Sequence, residues 1–309
     1  MITDSLKEWN GIPIKIYNSN SPLNCPNAIY KITYNWDDDD SDFATQFPLY
    51  LADPKCSESI GLSIGLNDES ADSFYDESVK SIIENSEKFP NLKWLFLGDM
   101  EGEESELTWI EQGDVGSPVL SKFPKLEALY ARGGEDSMEF SKASHSTLKE
   151  LVLQPGGVSQ DMLKNILQSD FPELEHLEIW LGSEERGADV TADDIRDLLE
   201  GNPFPKLKRL GLMNSEITTE IAKDIVNAPI LDQLEELDLS MGTLKDEGAL
   251  ALLASDKIKS LKSLNLNHHY MSNEVMQQFS SLEIKVDVSE QMDADSYDDE
   301  IYYYVAVSE

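Results

Sequence analysis

Leucines recur through the middle of the chain in a six-residue arrangement, Leu-x-x-Leu-x-Leu, whose last two apolar positions alternate as a half-buried strand requires. Seven copies align: Leu92, Leu95, Leu97; Leu126, Leu129, Ala131; Leu148, Leu151, Leu153; Leu174, Leu177, Ile179; Leu207, Leu210, Leu212; Leu234, Leu237, Leu239; and Leu261, Leu264, Leu266. Between them the apolar residues switch to helical spacing, in Val79, Ile82, Ile83; Leu163, Ile166, Leu167; Ile195, Leu198, Leu199; Ile217, Ile221, Ile225; and Ala249, Leu252, Leu253. Ser159, Thr191 and Ser272 stand where a side-chain oxygen can cap a first helical turn. Phe-Pro precedes four copies, at 89–90, 123–124, 171–172 and 204–205, where proline closes one helix and leaves the next residues extended. The pattern predicts strand, turn, helix and turn, over and over.

The central leucines 95, 129, 151, 177, 210, 237 and 264 are separated by 34, 22, 26, 33, 27 and 27 residues, around the period of leucine-rich repeats. The fold class expected is therefore α/β: a leucine-rich-repeat solenoid, or horseshoe, with parallel strands on the concave face and helices on the convex face. One repeat cannot bury its leucines alone, so residues 1–309 are expected to form a single domain. Within it, 1–88 read as divergent N-terminal repeats and a cap, 89–280 as the regular repeats and 281–309 as a C-terminal cap. Weaker strands are read at Ile12, Ile14, Ile16; at Ile29, Ile32, Tyr34; at Leu62, Ile64; and at Leu282, Ile284, Val286. The aromatic tail from Glu300 to Glu309 is expected to be a last strand or a cover on the final repeat, with a peptide offered to a partner as the alternative.

If the leucines point inward, the residues between them point out of the concave sheet. This predicts two zones. Trp94, Phe96 and Tyr130, with Arg132 nearby, form either an exposed aromatic patch suited to anchoring a partner or a patch covered by the divergent N-terminal repeats or by the loop from Glu101 to Gly116. Glu178, Arg209, Glu236, Asp238 and Asn265 form a mostly acidic patch further along.

Composition narrows the functions. With 60 Asp plus Glu against 24 Lys plus Arg, the net charge of −36 repels phosphate backbones and anionic lipid surfaces. Nucleic acid and membrane are therefore not expected partners, whereas a basic protein is, with the chain itself a monomer. The acidic runs Asp37 to Asp40, Glu101 to Glu106 and Asp293 to Glu300 are read as solvated loops. No signal-like N-terminus or apolar run of membrane-spanning length is present, which with only Cys25 and Cys56 suggests a cytoplasmic protein without disulfides; both cysteines read as core or loop residues. His176, Glu178 and Asp238 fall within reach of one another across strands, but Arg209 intervenes and no short ligand spacing occurs, so neither metal nor cofactor is expected. His268 or His269, acting with a carboxylate, is an acid/base candidate, although a turn histidine more naturally bonds the backbone. No nucleophile elbow, phosphate loop, dinucleotide fingerprint or HExxH is found.

Several strings, GDMEGEESELTWIEQGDV, YARGGE, LEIWLGSEERGADVT, LGLMNSEIT, LDLSMGTLKDEGA, LNHHYMS and YVAVSE, resemble those of an uncharacterised bacterial family of cytoplasmic leucine-rich-repeat proteins. The resemblance covers about residue 90 to the end, with a looser N-terminal part. It implies a fold similar to the ribonuclease-inhibitor type. The family's motif positions match Trp109, Asp114, Arg132, Gly133, Gly134, Trp180, Asn214, Glu216, His268, His269 and Tyr270, which line up with strand ends and the turns after them. The resulting expectation is a non-enzymatic binding module, an adaptor, regulator or inhibitor. It would hold a protein through Trp94, Phe96, Tyr130, Arg132, Trp180, Glu178, Arg209, Asn214, Asp238, His268 and His269. The alternatives are an accessory subunit of a modification or biosynthetic enzyme complex and, behind it, an enzyme using His268 or His269.

Overall fold

The computed structural model describes residues 6–20, 23, 28–68, 75–100, 110–134, 138–298 and 300–307. They divide into two compact units, the first holding residues 1–153 and 169–171 and the second 154–168 and 172–308. Each is a mostly parallel sheet with helices.

In the first unit, strands β1 (Glu8–Trp9), β2 (Ile12–Ile16), β3 (Ile29–Ile32), β4 (Gly61–Ile64), β5 (Trp94–Leu97), β7 (Ala128–Gly133) and β9 (Glu150–Pro155, whose last two residues belong to the second unit) lie in that spatial order. A separate short pair, β6 (Gly113–Asp114) with β8 (Met138–Glu139), and helices α1 (Phe43–Ala52), α2 (Tyr75–Glu84) and α3 (Ser117–Leu120) complete it. Helix α1, capped by Asp42 and carrying Pro48, has no counterpart in the apolar spacing read above. From β2 to β7 the pairing is parallel, and Tyr30, Leu62, Leu95 and Leu129 stand in one row, all buried.

The N-terminal strand departs from expectation by one residue of phase. Lys15, not Ile14 or Ile16, pairs with core residue Tyr30, so Ile12, Ile14 and Ile16 belong to the opposite face. A one-residue slip moves a whole strand's apolar set across the sheet. Asn10 and Gly11, both at positive φ (49° and 76°), make the two-residue turn that folds β1 back antiparallel on β2. Trp9 is thereby set with Ile12, Ile14, Ile29 and Ile60 against Trp94, Phe96 and Ala128.

The second unit orders β10 (His176–Gly182), β11 (Arg209–Ser215), β12 (Glu236–Asp238), β13 (Ser263–Asn265) and β14 (Lys285–Asp287) side by side, all parallel. Leu177, Leu210, Leu237, Leu264 and Val286 pair in register, and the four leucines are buried. Helices α4 (Gln160–Leu167), α5 (Ala192–Gly201), α6 (Thr218–Ile225), α7 (Asp246–Ala254) and α8 (Asn273–Gln278) pack in sequence order. Ser159 and Ser272 cap α4 and α8, and Thr191 forms a capping box with Asp194 on α5. Gly248 lets α7 approach α6, since a Cβ there would stand 3.1 Å from that of Ala222. The Phe of each Phe-Pro pair in the two units is buried, and at 89, 123 and 204 its carbonyl accepts from the amide of the first leucine of the copy that follows.

The acidic run Asp293 to Glu300, read as a loop, instead carries a hairpin: β15 (Asp295–Tyr297) pairs antiparallel with β16 (Glu300–Tyr302). Cys56 is buried, and burial pushes its thiol up to about 11. Cys25, the run Glu101 to Glu106 and Trp109 lie outside the described residues.

Truncating the packed indole in Trp9→Ala should cost about 3 kcal/mol in a urea unfolding experiment. Ile16→Ser, on the same face but 71% exposed, should cost less than about 0.5 kcal/mol.

Candidate functional site

The aromatic zone is not a surface. Trp94 and Phe96 are 0% and 2% exposed, and Tyr130 is half-buried, its hydroxyl donating to Glu150 2.5 Å away. The Trp9 ring lies tilted at 31° to that of Trp94, 6.4 Å away, and Trp94, Phe96 and Tyr130 lie within 6.0 Å of one another in edge contacts. The cause is the phase of β2, which sends its isoleucines and the β1 tryptophan to the face where these aromatics stand. Arg132 is buried as well: its guanidinium sits 5.6 Å over the Phe96 ring and donates to the Met100 carbonyl. Lys31 and Asp99 form a buried ion pair at 3.6 Å, with Ser63 donating to Asp99 at 2.6 Å. These groups hold the first unit together, and all but Tyr130 and Glu150 are buried.

The polar zone is open. On the face of the second unit away from the leucines, an open groove of about 280 Å³ is lined by His176, Glu178, Arg209, Glu236, Asp238, Ser263, Asn265, Lys285 and Asp287, with the leucine backbones as its floor. The parallel register produces this row directly: His176 pairs with Arg209, Arg209 with Glu236, Glu236 with Ser263 and Ser263 with Lys285, and beside them run Glu178, Gly211, Asp238, Asn265 and Asp287. Gly211 gives room to the Glu178 side chain, whose Cγ would stand 3.2 Å from a Cβ at that position. Lys285 and Asp287 were missed by the sequence reading, although Asp287 follows Val286 as Asn265 follows Leu264.

Hydrogen bonds fix the carboxylates in place. Gln154 and the Trp180 indole both donate to Glu178 Oε1, at 2.8 and 3.1 Å. Asp238 accepts from the Ser240 amide at 2.9 Å and from Asn265 at 2.8 Å, while burial raises its carboxyl above the usual value. Burial, helped by Arg209, holds His176 down to about 4, so the imidazole is neutral at pH 7, with Nε2 3.9 Å from Glu178. Among the described residues, no group of three or more His, Cys, Asp or Glu side chains is arranged to hold a metal ion. No described helix is long and apolar enough to cross a membrane.

The remaining sequence candidates are buried and engaged within the chain. Trp180 is 2% exposed and serves Glu178. Asn214, fully buried, grips Val307 of the C-terminal tail. His269 Nε2 bonds the Val288 carbonyl at 2.9 Å and Nδ1 accepts from the Met271 amide at 3.2 Å, so both ring nitrogens are committed to the backbone. His268 Nδ1 stands 3.3 Å from the Gly242 carbonyl. Burial lowers the pKa of both histidines. Of the eleven residues put forward from sequence as partner contacts, Glu178, Arg209 and Asp238 line the open groove.

No family model matches the chain, and no curated protein does. Among solved structures, it is similar to a Bacteroides fragilis protein whose crystal structure came from a structural-genomics programme, with 34% identity and a TM-score of 0.75. That match covers 85% of this chain and 75% of the other. An internalin from Listeria monocytogenes also matches, at 13% identity over 86% of this chain and 74% of that one, but its TM-score of 0.34 is too low to argue from.

The buried imidazole has a pH consequence. Unfolded, His176 takes a proton near 6.5; folded, it stays neutral to about 4, so between these values the unfolded chain binds more protons and stability falls with the pH. Replacing it in His176→Gln should remove up to about 3 kcal/mol of the stability change summed over that window, read from urea midpoints across it. Asp238 acts oppositely, since its raised carboxyl takes a proton in the folded chain first.

Proposed function

The chain belongs to the same family as the Bacteroides fragilis protein, and on that premise we propose that it is a cytoplasmic leucine-rich-repeat solenoid acting as a non-enzymatic binding module. The groove over β10 to β14 receives a basic segment of a protein partner. The observation that carries this reading is the groove's arrangement: four carboxylates, Glu178, Glu236, Asp238 and Asp287, stand around Arg209 and Lys285 on a rigid parallel sheet. Fixed charges of mixed sign on a scaffold orient a partner, and an excess of one sign steers it. Cationic side chains suit the carboxylates; Arg209 and Lys285 set the register by repelling a wrong alignment. The overall charge of −36 would speed the encounter and make it salt-sensitive.

The leucine-rich-repeat assignment is supported by seven copies of the strand motif and by pairing that places successive central leucines side by side. A non-enzymatic role is supported by His268 and His269, whose backbone bonds leave them poorly placed for proton transfer.

Affinity capture from a native lysate should return one stoichiometric basic protein at low salt and lose it at high salt. The exposed-site reversal Glu236→Lys should weaken capture at least about tenfold, whereas Glu247→Lys, exposed on α7, should leave it within about twofold. Equal behaviour of the two variants would place the interaction elsewhere.

A further inference from the structure

The tail after β16 lies across the strand ends of the second unit as a bound peptide would. Its residues alternate: Tyr303 is half-buried, Tyr304 exposed, Val305 buried, Ala306 half-buried and Val307 buried. Tyr270 Oη accepts from the Tyr304 amide at 2.8 Å and donates to the Tyr304 carbonyl at 2.9 Å. The Ala306 amide donates to the Met241 carbonyl at 2.8 Å. Asn214 closes the far end, its Oδ1 accepting from the Val307 amide at 2.9 Å and its Nδ2 donating to the Val307 carbonyl at 2.7 Å. The Tyr303 ring sits under Lys245 Nζ, 3.7 Å away, and against the edge of Tyr270.

Two geometric facts relate the tail to successive repeats. Asn214, Met241 and His268 occupy the same place in three successive repeats, four residues after Leu210, Leu237 and Leu264, and all three have a left-handed backbone, with φ of 50°, 67° and 58°. Such a conformation is uncommon outside glycine, and here it recurs where the strands turn towards the tail. The overall span also fits: the three residue steps from Tyr304 to Val307 cover about 10 Å, and the two strand intervals from β13 to β11 cover about 9.6 Å. An extended peptide laid across the strands thus reaches three repeats, through Tyr304, Ala306 and Val307.

We propose that this strand-end groove is a peptide-recognition site that the tail occupies in cis and that, in trans, takes an extended protein segment of the same alternation, aromatic-x-Val-x-Val. Main-chain bonds supply affinity and alternate side-chain pockets supply specificity, as in other extended-peptide sites. The tail can leave because its tether, the β15–β16 hairpin, is exposed at every residue whose burial is described. Its grip includes five hydrogen bonds, two buried valines and the contacts of the Tyr303 ring, set against the ordering of five residues, gains and costs of comparable size. This groove is separate from the charged one, so either can fail alone.

Hydrogen exchange on the unaltered chain is the first test. The Ala306 and Val307 amides should exchange at least about tenfold faster than those of Leu212 and Leu239; exchange only together with these core amides would make the tail a permanent part of the fold and overturn the proposal. The second test uses a labelled peptide, Ile-Tyr-Tyr-Tyr-Val-Ala-Val-Ser-Glu, and the full-length double variant Val305→Asp, Val307→Asp. The variant should bind the peptide at least about tenfold more tightly than the unaltered chain, which must first release its own tail. Adding Asn214→Ala, or placing Asp at both valines of the peptide, should abolish that gain. A folded double variant that ignores the peptide, or one that does not fold, would refute the proposal. A dimer of the unaltered chain that the valine substitutions dissolve would support it, with a second copy as the source of the segment.

Discussion

A strand of three to seven residues cannot bury its own leucines. Each is covered by the leucine at the same position of the next strand and by the helices behind, so every repeat depends on in-register pairing with its neighbours. The rows Tyr30, Leu62, Leu95, Leu129 and Leu177, Leu210, Leu237, Leu264 are that constraint in the two units, and both are buried along their length. At about 1.5–3 kcal/mol for each buried leucine, the rows carry a large share of the gain that offsets chain ordering. Once the register holds, the residues between the leucines are set on the other face with no further freedom.

What that other face becomes is a matter of what else reaches it. In the first unit, a two-residue turn at Asn10 and Gly11 and a strand one residue out of phase bring Trp9, Ile12 and Ile14 onto Trp94 and Phe96, making a second small core. In the second unit the positions between the leucines are charged or polar, and the groove of Glu178, Arg209, Asp238 and Asp287 stays open. The strand ends there are a third environment, where Asn214, Met241 and Tyr270 turn towards the tail rather than outward.

The family-like strings at the strand ends take on a physical meaning from this. Asn214 in LGLMNSEIT and Tyr270 in LNHHYMS meet Val307 and Tyr304, at or beside YVAVSE, so segments up to 93 residues apart in sequence act on one another. Trp180 in LEIWLGSEERGADVT orients the Glu178 carboxylate. Asn214 and Trp180 were picked out as contacts for a partner and Tyr270 as a family motif position, and the contacts described for them lie within the chain.

Period and punctuation determined a good part of the molecule: leucine spacing placed the strands, helical spacing the helices α2 and α4 to α7, and capping residues the starts of α4, α5 and α8. These are short-range properties, decided by neighbours within a few residues. The charged row from Glu178 to Asn265 was legible for the same reason, because alternation along a strand states which side chains share a face. The tertiary structure decided three things that no local pattern contains: the phase of β2, the burial of Trp94, Phe96 and Arg132, and the path of the tail. Each rests on contacts between residues distant in the chain, where a single residue of register or one turn at Asn10 and Gly11 changes which groups meet solvent.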